Sequence, residues 1–333
     1  MSTRIDVIRV GTAEAGTVGV HKGELRVGDL PAGEPMTIPV VIVRGAADGP
    51  TVWLHGCVHG DEYCGAFIVH EALRSVDPRQ LAGTVVALPV LNITAFHIGR
   101  RMSPFEHFAR GDLNRCFPGN PEGATTEQMA HAIYRELRRY ASYFVDFHTA
   151  FTPDVRWALF ANAGGEVGRK AEGLARAFGL RHTLPAPMDI LAGSAMIAAA
   201  RDGIPSLIVE MGGMGSAFDR AAVLEGAERL RNVLRHLRML PGAVTDYGPL
   251  TYFSNFAWVD ATRGGLFQAA ARCGQRLSKG DLLGRYYDAH GDVVEEVRSP
   301  HAGVVLAINP GPMMPSGDIL VHVGLDPREV SSP

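Results

Sequence analysis

Hydrophobic positions change period along this chain, and the changes divide it into three stretches. Through residue 50, short alternating runs separated by turn residues predict β-strands. Thr37–Arg44 is the clearest strand, and Ala46-Ala-Asp-Gly-Pro50 reads as a turn. From there apolar runs alternate with helical periods, the pattern of a largely parallel α/β sheet. Four runs rich in β-branched or aromatic residues predict buried strands: Thr51–Leu54, Thr84–Leu91, Tyr143–Phe147 and Ser206–Val209. Helices are predicted between them. Thr125-Thr-Glu-Gln128 has capping-box spacing, and Met129, Ile133, Leu137 and Ala141 follow at four-residue intervals. Glu166–Phe178 and Ala221–Leu237 have comparable periods, with Gly179 and Gly242 as helix stops.

Composition shifts at Pro241–Pro249, and helical periodicity ends there. Short strands then recur between turn residues, as at Gly264–Phe267, Gly280–Gly284, Ala302–Leu306 and Gly317–Gly324. The expected fold is therefore an α/β domain over residues 1–242, with a mixed, largely parallel sheet flanked by helices and an N-terminal β segment at 1–50. A small all-β barrel or sandwich is expected at 243–333. Residues 264–284 and 300–324 resemble the two halves of a biotinyl/lipoyl-type sandwich. A carrier of that kind needs a lysine at the hairpin tip. The tip here reads Asp288-Ala-His-Gly-Asp292, and Lys279 belongs to an earlier turn, so a structural role is expected for the tail.

The chain has 333 residues, 46% of them hydrophobic and 20% charged, which is ordinary globular composition. A net charge of -3 offers no footprint for nucleic acid, and no basic run suggests a membrane surface. No apolar run reaches the roughly 18 residues of a membrane helix, and the first residues lack the pattern of a signal peptide. Four cysteines without C-x-x-C pairing read as free thiols, so a cytoplasmic location is expected. What remains is an expectation of small-molecule chemistry, with homo-oligomer formation left open.

That chemistry gathers at predicted strand ends. Trp53-Leu-His-Gly-Cys-Val-His59-Gly-Asp-Glu62 follows one strand, His148 ends a second and Glu210 ends a third. The carboxyl edge of an open α/β sheet is where ligands bind. Two histidines and a glutamate form a known zinc set that keeps a position for water, and a further carboxylate is needed to move the proton. His59, Glu62 and His148 are thus the candidate ligands of one Zn2+, and Glu210 the candidate catalytic base. His55 is placed in the strand end or behind the ligands, and Asp146 on the face of His148. A second cluster runs from Gly99-Arg-Arg101 to Gly111-Asp-Leu-Asn114-Arg115-Cys-Phe-Pro-Gly119. Asn114 and Arg115 are suited to grip a carboxylate, and another arginine to stabilise an oxyanion. Arg201 is a further candidate for a second carboxylate.

Gly56-Cys-Val-His-Gly-Asp-Glu62, Asp112-Leu-Asn-Arg-Cys-Phe-Pro-Gly119, Val145-Asp-Phe-His148-Thr and Val209-Glu210 occur in the order found in the succinylglutamate desuccinylase/aspartoacylase family, which the chain resembles over residues 20–325. The resemblance implies a zinc hydrolase with a carboxypeptidase A-like fold. It implies zinc on His59, Glu62 and His148, Glu210 as base, Asn114 and Arg115 on a substrate carboxylate, and Arg101 (or the adjacent Arg100) polarising the scissile carbonyl. The sequence departs from many relatives at Asn92-Ile93, where they read Asn-Pro, and in a longer link at Phe105–Gly111. The expected reaction is hydrolysis of an N-acyl amino acid or related small amide. The alternative is a metallocarboxypeptidase acting on a small peptide.

Overall fold

The structure, a computed structural model, describes residues 7–106 and 111–331. The N-terminal stretch forms the hairpin β1 (Ile8–Val10) and β2 (Ala13–Ala15), then the antiparallel pair β3 (Gly19–Asp29) and β4 (Pro35–Arg44). Alternation in β4 buries Met36, Ile38, Val40 and Ile42 on one face, as a period of two requires. The central stretch contains β5 (Ala47–His55), α1 (Tyr63–Arg74), β6 (Ala82–Leu88), α2 (Ile93–His97) and α3 (Thr125–Tyr140). It continues through β7 (Tyr143–His148), β8 (Arg156–Ala161), α4 (Gly165–Phe178), β9 (His182–Ala186), α5 (Ala195–Arg201), β10 (Ser206–Met211) and α6 (Arg220–His236).

After α6 come β11 (Leu250–Tyr252), β12 (Asn255–Asp260), β13 (Gly265–Ala269), β14 (Arg276–Leu277) and β15 (Leu282–Tyr287). Then follow β16 (Val293–Arg298), β17 (Gly303–Ile308), β18 (Met313–Met314), β19 (Ile319–Leu325) and β20 (Arg328–Val330). Two antiparallel four-stranded sheets, β12-β19-β17-β14 and β16-β15-β13-β18, enclose a core that includes Phe267, Leu283, Tyr286 and Leu320. Strands β11 and β20, either side of these sheets in sequence, join the edge of the main sheet instead.

The main sheet has ten strands in the order β20-β11-β9-β8-β10-β7-β5-β6-β4-β3. Its centre, β10-β7-β5-β6, is parallel, and antiparallel strands lie on both sides. Both faces are covered. Val145, Phe147, Leu207 and Val209 point to a core shared with α1, α4 and α6. Trp53, Phe144 and Val86 point the other way, towards α3 and α5. This explains the continuous apolar runs of the central strands.

Several boundaries differ from their sequence patterns: residues 47–50, expected in a turn, already belong to β5, which is irregular between Ala47 and Thr51 where it pairs with β6. Helix α3 is capped at Ala124, one residue before the expected box; Glu127 accepts the Ala124 N–H at 2.9 Å, but the alanine methyl returns no bond. Strand β6 stops at Leu88, because Pro89 has no N–H to continue the ladder. No described helix is long and apolar enough to cross a membrane.

Loop geometry after β5 depends on Gly60. A Cβ there would sit 2.1 Å from the backbone carbonyl carbon of Ala95, in the short α2, so the loop and that helix touch through backbone alone. Asn92 completes the joint, accepting the Ala95 N–H and donating to the Val58 carbonyl at 3.3 Å. Gly60→Ala is therefore expected to lower stability by about 1–3 kcal/mol, the usual cost of overpacking, read as a lower denaturant midpoint at constant slope. An unchanged midpoint would show that the loop tolerates displacement.

Candidate metal centre

Strand register builds the site. His148 of β7 pairs with Glu210 of β10, and Glu210 pairs in turn with Trp157 of β8. Residues aligned across neighbouring strands share a face, so these three side chains stand in one row. On the other side of β7, Asp146 pairs with His55 of β5. The loop that leaves β5 then carries His59 and Glu62 to the row, with Glu62 at the N-cap of α1.

His59, Glu62 and His148 are all buried, and their ligand atoms lie within 4.8 Å of one another. Glu62 bridges the histidines: Oε1 is 2.7 Å from His59 Nδ1, and Oε2 is 3.0 Å from His148 Nδ1. Each ring turns its other nitrogen to a second carboxylate. His59 Nε2 is 3.1 Å from Asp112, and His148 Nε2 is 3.2 Å from Asp146. Carboxylates behind imidazoles are the usual support of a metal centre, fixing tautomer and ring orientation. Two imidazole nitrogens and a carboxylate aimed at one point suit zinc.

Charge is concentrated here. Burial would raise the Glu62 carboxyl, but the His59 and His148 imidazoles hold it well below the usual range. His148 is likewise opposed by burial, yet the Asp146 and Glu62 carboxylates raise its pKa. Asp112 is held low against burial by its bond to His59 and by Arg101. Glu210 behaves differently. Burial pushes it up to about 7, and its Oε2 has no hydrogen-bond partner among the described residues. A carboxyl with that affinity for a proton, beside three ligating groups, can take and return one near neutral pH.

The second cluster arrives from its own loop. Arg101 Nη2 donates to Asp112 at 3.1 Å, and Nη1 lies 3.5 Å from Glu62. Arg100 is exposed and does not line the cavity, so geometry separates the two neighbours. Asn114 is buried. Its Oδ1 accepts the Ala195 N–H at the start of α5 (3.3 Å), and its amide nitrogen is 3.5 Å from His148 Nε2. Gly193, at φ +85°, lets that turn lie on the Arg115 carbonyl, where a Cβ would come within 2.3 Å. Arg115 itself lines the cavity. Of the longer link at Phe105–Gly111, residues 107–110 lie outside the described residues.

The cavity over this centre is about 460 Å³. Besides the residues above, it is lined by the aromatic side chains of Phe151, Trp157, Phe256, Trp258 and His322. His55 stays behind the centre, buried, with its Nε2 accepting from the Trp53 indole N–H at 2.8 Å. Cys57 is buried, and burial pushes its thiol up to about 12, away from the thiolate form a nucleophile needs. Arg201 does not reach the centre. It lines a separate cavity of about 720 Å³ with Arg138 and Arg139 and donates to the Met188 carbonyl. Asp112 was missed from sequence as a support for His59. Its place at the start of the Asn114-Arg115 motif was the available signal.

Comparison with known proteins identifies the family of the chain. A family profile described as the succinylglutamate desuccinylase/aspartoacylase catalytic domain matches residues 48–237. The chain is 29% identical over 306 residues to the N-alpha-acetyl-L-2,4-diaminobutyric acid deacetylase of Halomonas elongata, covering 87% of this chain and 86% of the relative. The product-bound structure of the ectoine utilization protein EutE (DoeB) from Ruegeria pomeroyi superposes with a TM-score of 0.81 at 27% identity, covering 98% and 100% of the two chains. A succinylglutamate desuccinylase/aspartoacylase structure from Rhodobacter sphaeroides gives 0.80 at 26%, covering 93% and 97%. With more than half its length matched by the catalytic-domain profile and these motifs gathered at one centre, the chain belongs to the succinylglutamate desuccinylase/aspartoacylase family.

Proposed function

We propose that the protein is a zinc-dependent deacylase that hydrolyses the amide bond of an N-acyl amino acid. The observation that carries this reading is the convergence of His59, Glu62 and His148 within 4.8 Å, with the Glu210 carboxyl beside them, its Oε2 without a hydrogen-bond partner among the described residues. Zinc held there would polarise the scissile carbonyl and lower the pKa of a water molecule towards about 7. Glu210 takes the proton released from the attacking water and returns it to the departing amine. Arg101 offers its guanidinium to the charge developing on the carbonyl oxygen. Asn114 and Arg115, on the 3-10 turn after Asp112, hold the substrate carboxylate, for which a planar guanidinium has a matching fork. The acetylated diaminobutyrate named for the Halomonas relative belongs to the same chemical class.

Three outcomes test this. Purified protein is expected to contain about one zinc per chain by elemental analysis, and His148→Ala to lose it, as three-ligand sites require. A metal-free, fully active preparation would end the proposal. Glu210→Gln should keep its zinc yet lose roughly 10²- to 10⁴-fold in kcat, the usual contribution of a general acid–base. Asp112→Asn should weaken zinc affinity by roughly 10- to 100-fold, the usual cost of a lost carboxylate behind a ligating histidine, measured by competition with a chelator.

A further inference from the structure

The cavity that includes Arg201 is lined by α3, α5 and the turn after Arg115, and at about 720 Å³ it is larger than the one over the metal centre. Helix α3 brings Arg135, Arg138 and Arg139 to it, three and four residues apart and therefore neighbours on the helix surface. Arg201, the last residue of α5, adds a fourth guanidinium. These four gather in a chain whose net charge is -3, and Asp202 is the only carboxylate among the described lining residues. That carboxylate is already engaged. Its Oδ2 accepts from the Tyr134 hydroxyl at 2.6 Å and lies 3.1 Å from Arg138 Nε. Arg135 pairs with Glu136 at 2.8 Å. Arg139 and Arg201 make no ion pair among the described residues. Arg139 lies over the Tyr140 ring at 5.0 Å, and Arg201 donates to the Met188 carbonyl at 3.3 Å.

Asp202 shows what an anion does here: from the C-cap of α5 it ties that helix to Tyr134 and Arg138 of α3. Arg139 and Arg201 stand on the same two helices without such a link. A carboxylate is satisfied by one guanidinium fork, whereas the three oxygens of a phosphate can accept from guanidiniums on separate elements at once. The rest of the lining is of another kind. Phe117, Pro118, Gly119, Gly193 and Ala198 offer no polar side-chain atom. This part is fixed in place: the Phe117 N–H donates to the Gly193 carbonyl at 2.9 Å, and a Cβ on Gly119 would lie 2.1 Å from the His131 nitrogen of α3. A cavity of this size, part apolar and part basic, suits a ligand with an organic body and a phosphate end.

We propose that this cavity binds a small organic phosphate, with the phosphate held by Arg139 and Arg201 and the organic body lying along Phe117 and Pro118. The site uses none of the metal-centre residues, so its test stands apart from the deacylase reading. Adenosine 5′-diphosphate is the probe, titrated into the purified protein in a calorimeter, with adenosine and inorganic phosphate as the two halves of its chemistry. The diphosphate is expected to bind about one per chain, at least roughly tenfold more tightly than either half. Arg139→Gln and Arg201→Gln, both at exposed positions, should each weaken it roughly tenfold, the usual scale for a lost hydrogen bond to a charged group. Both variants should keep the parent melting temperature, which separates lost binding from lost folding. Raising the salt should weaken the diphosphate and leave adenosine unaffected. Arg115→Gln, in the other cavity, should leave diphosphate affinity within about twofold. A diphosphate held at the metal centre would give the reverse pattern, sensitive to Arg115→Gln and indifferent to Arg139→Gln and Arg201→Gln, and would overturn the proposal. So would the absence of binding, or adenosine binding as tightly as the diphosphate. Inorganic phosphate binding as tightly as the diphosphate would overturn the role given to Phe117 and Pro118.

Discussion

The register between β7 and β10 is the constraint on which the rest of the site depends. Because Glu210 pairs with His148 and with Trp157, the three side chains share one face of the sheet at one level. A slip by one residue would turn each of them into the opposite core, among Phe147 and Val209, where Phe178 and Leu230 already fill the space. The apolar packing on both faces therefore determines where the polar row stands. Stability and chemistry are linked through register rather than through any direct contact of the core with the substrate.

A row of strand residues alone would not hold a metal. Two loops add what it lacks: the one after β5 carries His59 and Glu62, and the one between α2 and α3 carries Arg101 and Asp112 to Arg115. Their side chains then hold one another. Glu62 spans both histidines, Asp112 supports His59 while accepting from Arg101, and Asn114 ties this loop to the first turn of α5. Carboxylates this close would repel one another strongly without the imidazoles and guanidinium between them. Glu210 stands apart from that exchange. It receives the burial without the hydrogen bonds, which is why its affinity for a proton rises while that of Glu62 falls.

Much of this was legible in sequence, for reasons that can be named. Short apolar runs bounded by Pro and Gly located β5, β6, β7 and β10, since strands buried on both faces have no alternation to obscure. His59, Glu62, His148 and Glu210 could be placed at one edge because parallel strands carry their carboxyl ends together. Arg101 could not be separated from Arg100, as the choice depends on a loop whose path follows from the Gly60–Ala95 contact. Asp112 was hidden for another reason: support of a ligand requires proximity across 53 residues, and no periodicity encodes that. Where β11 and β20 pair was equally beyond local pattern, because three-residue strands carry too little signal.

The C-terminal sheets complete a cavity whose other lining residues come from the α/β domain. The α/β domain provides the row and the loops, and hence His59, Glu62, His148 and Glu210. It also lines the cavity with Phe151, Trp157, Leu159, Leu191, Ile208 and Met214. Strands β12 and β19 line the cavity with Phe256, Trp258 and His322 on one face, while Val259, Val321 and Val323 on the other join the core of the C-terminal sheets. Alternation permits this division, since residues on the cavity face can change without disturbing those beneath. Trp258 and Asp318 are exposed to the cavity and bear little packing load, whereas Val259 and Leu320 beside them are buried. Residues that line the cavity and residues that hold the sheet together are thus different members of the same strands.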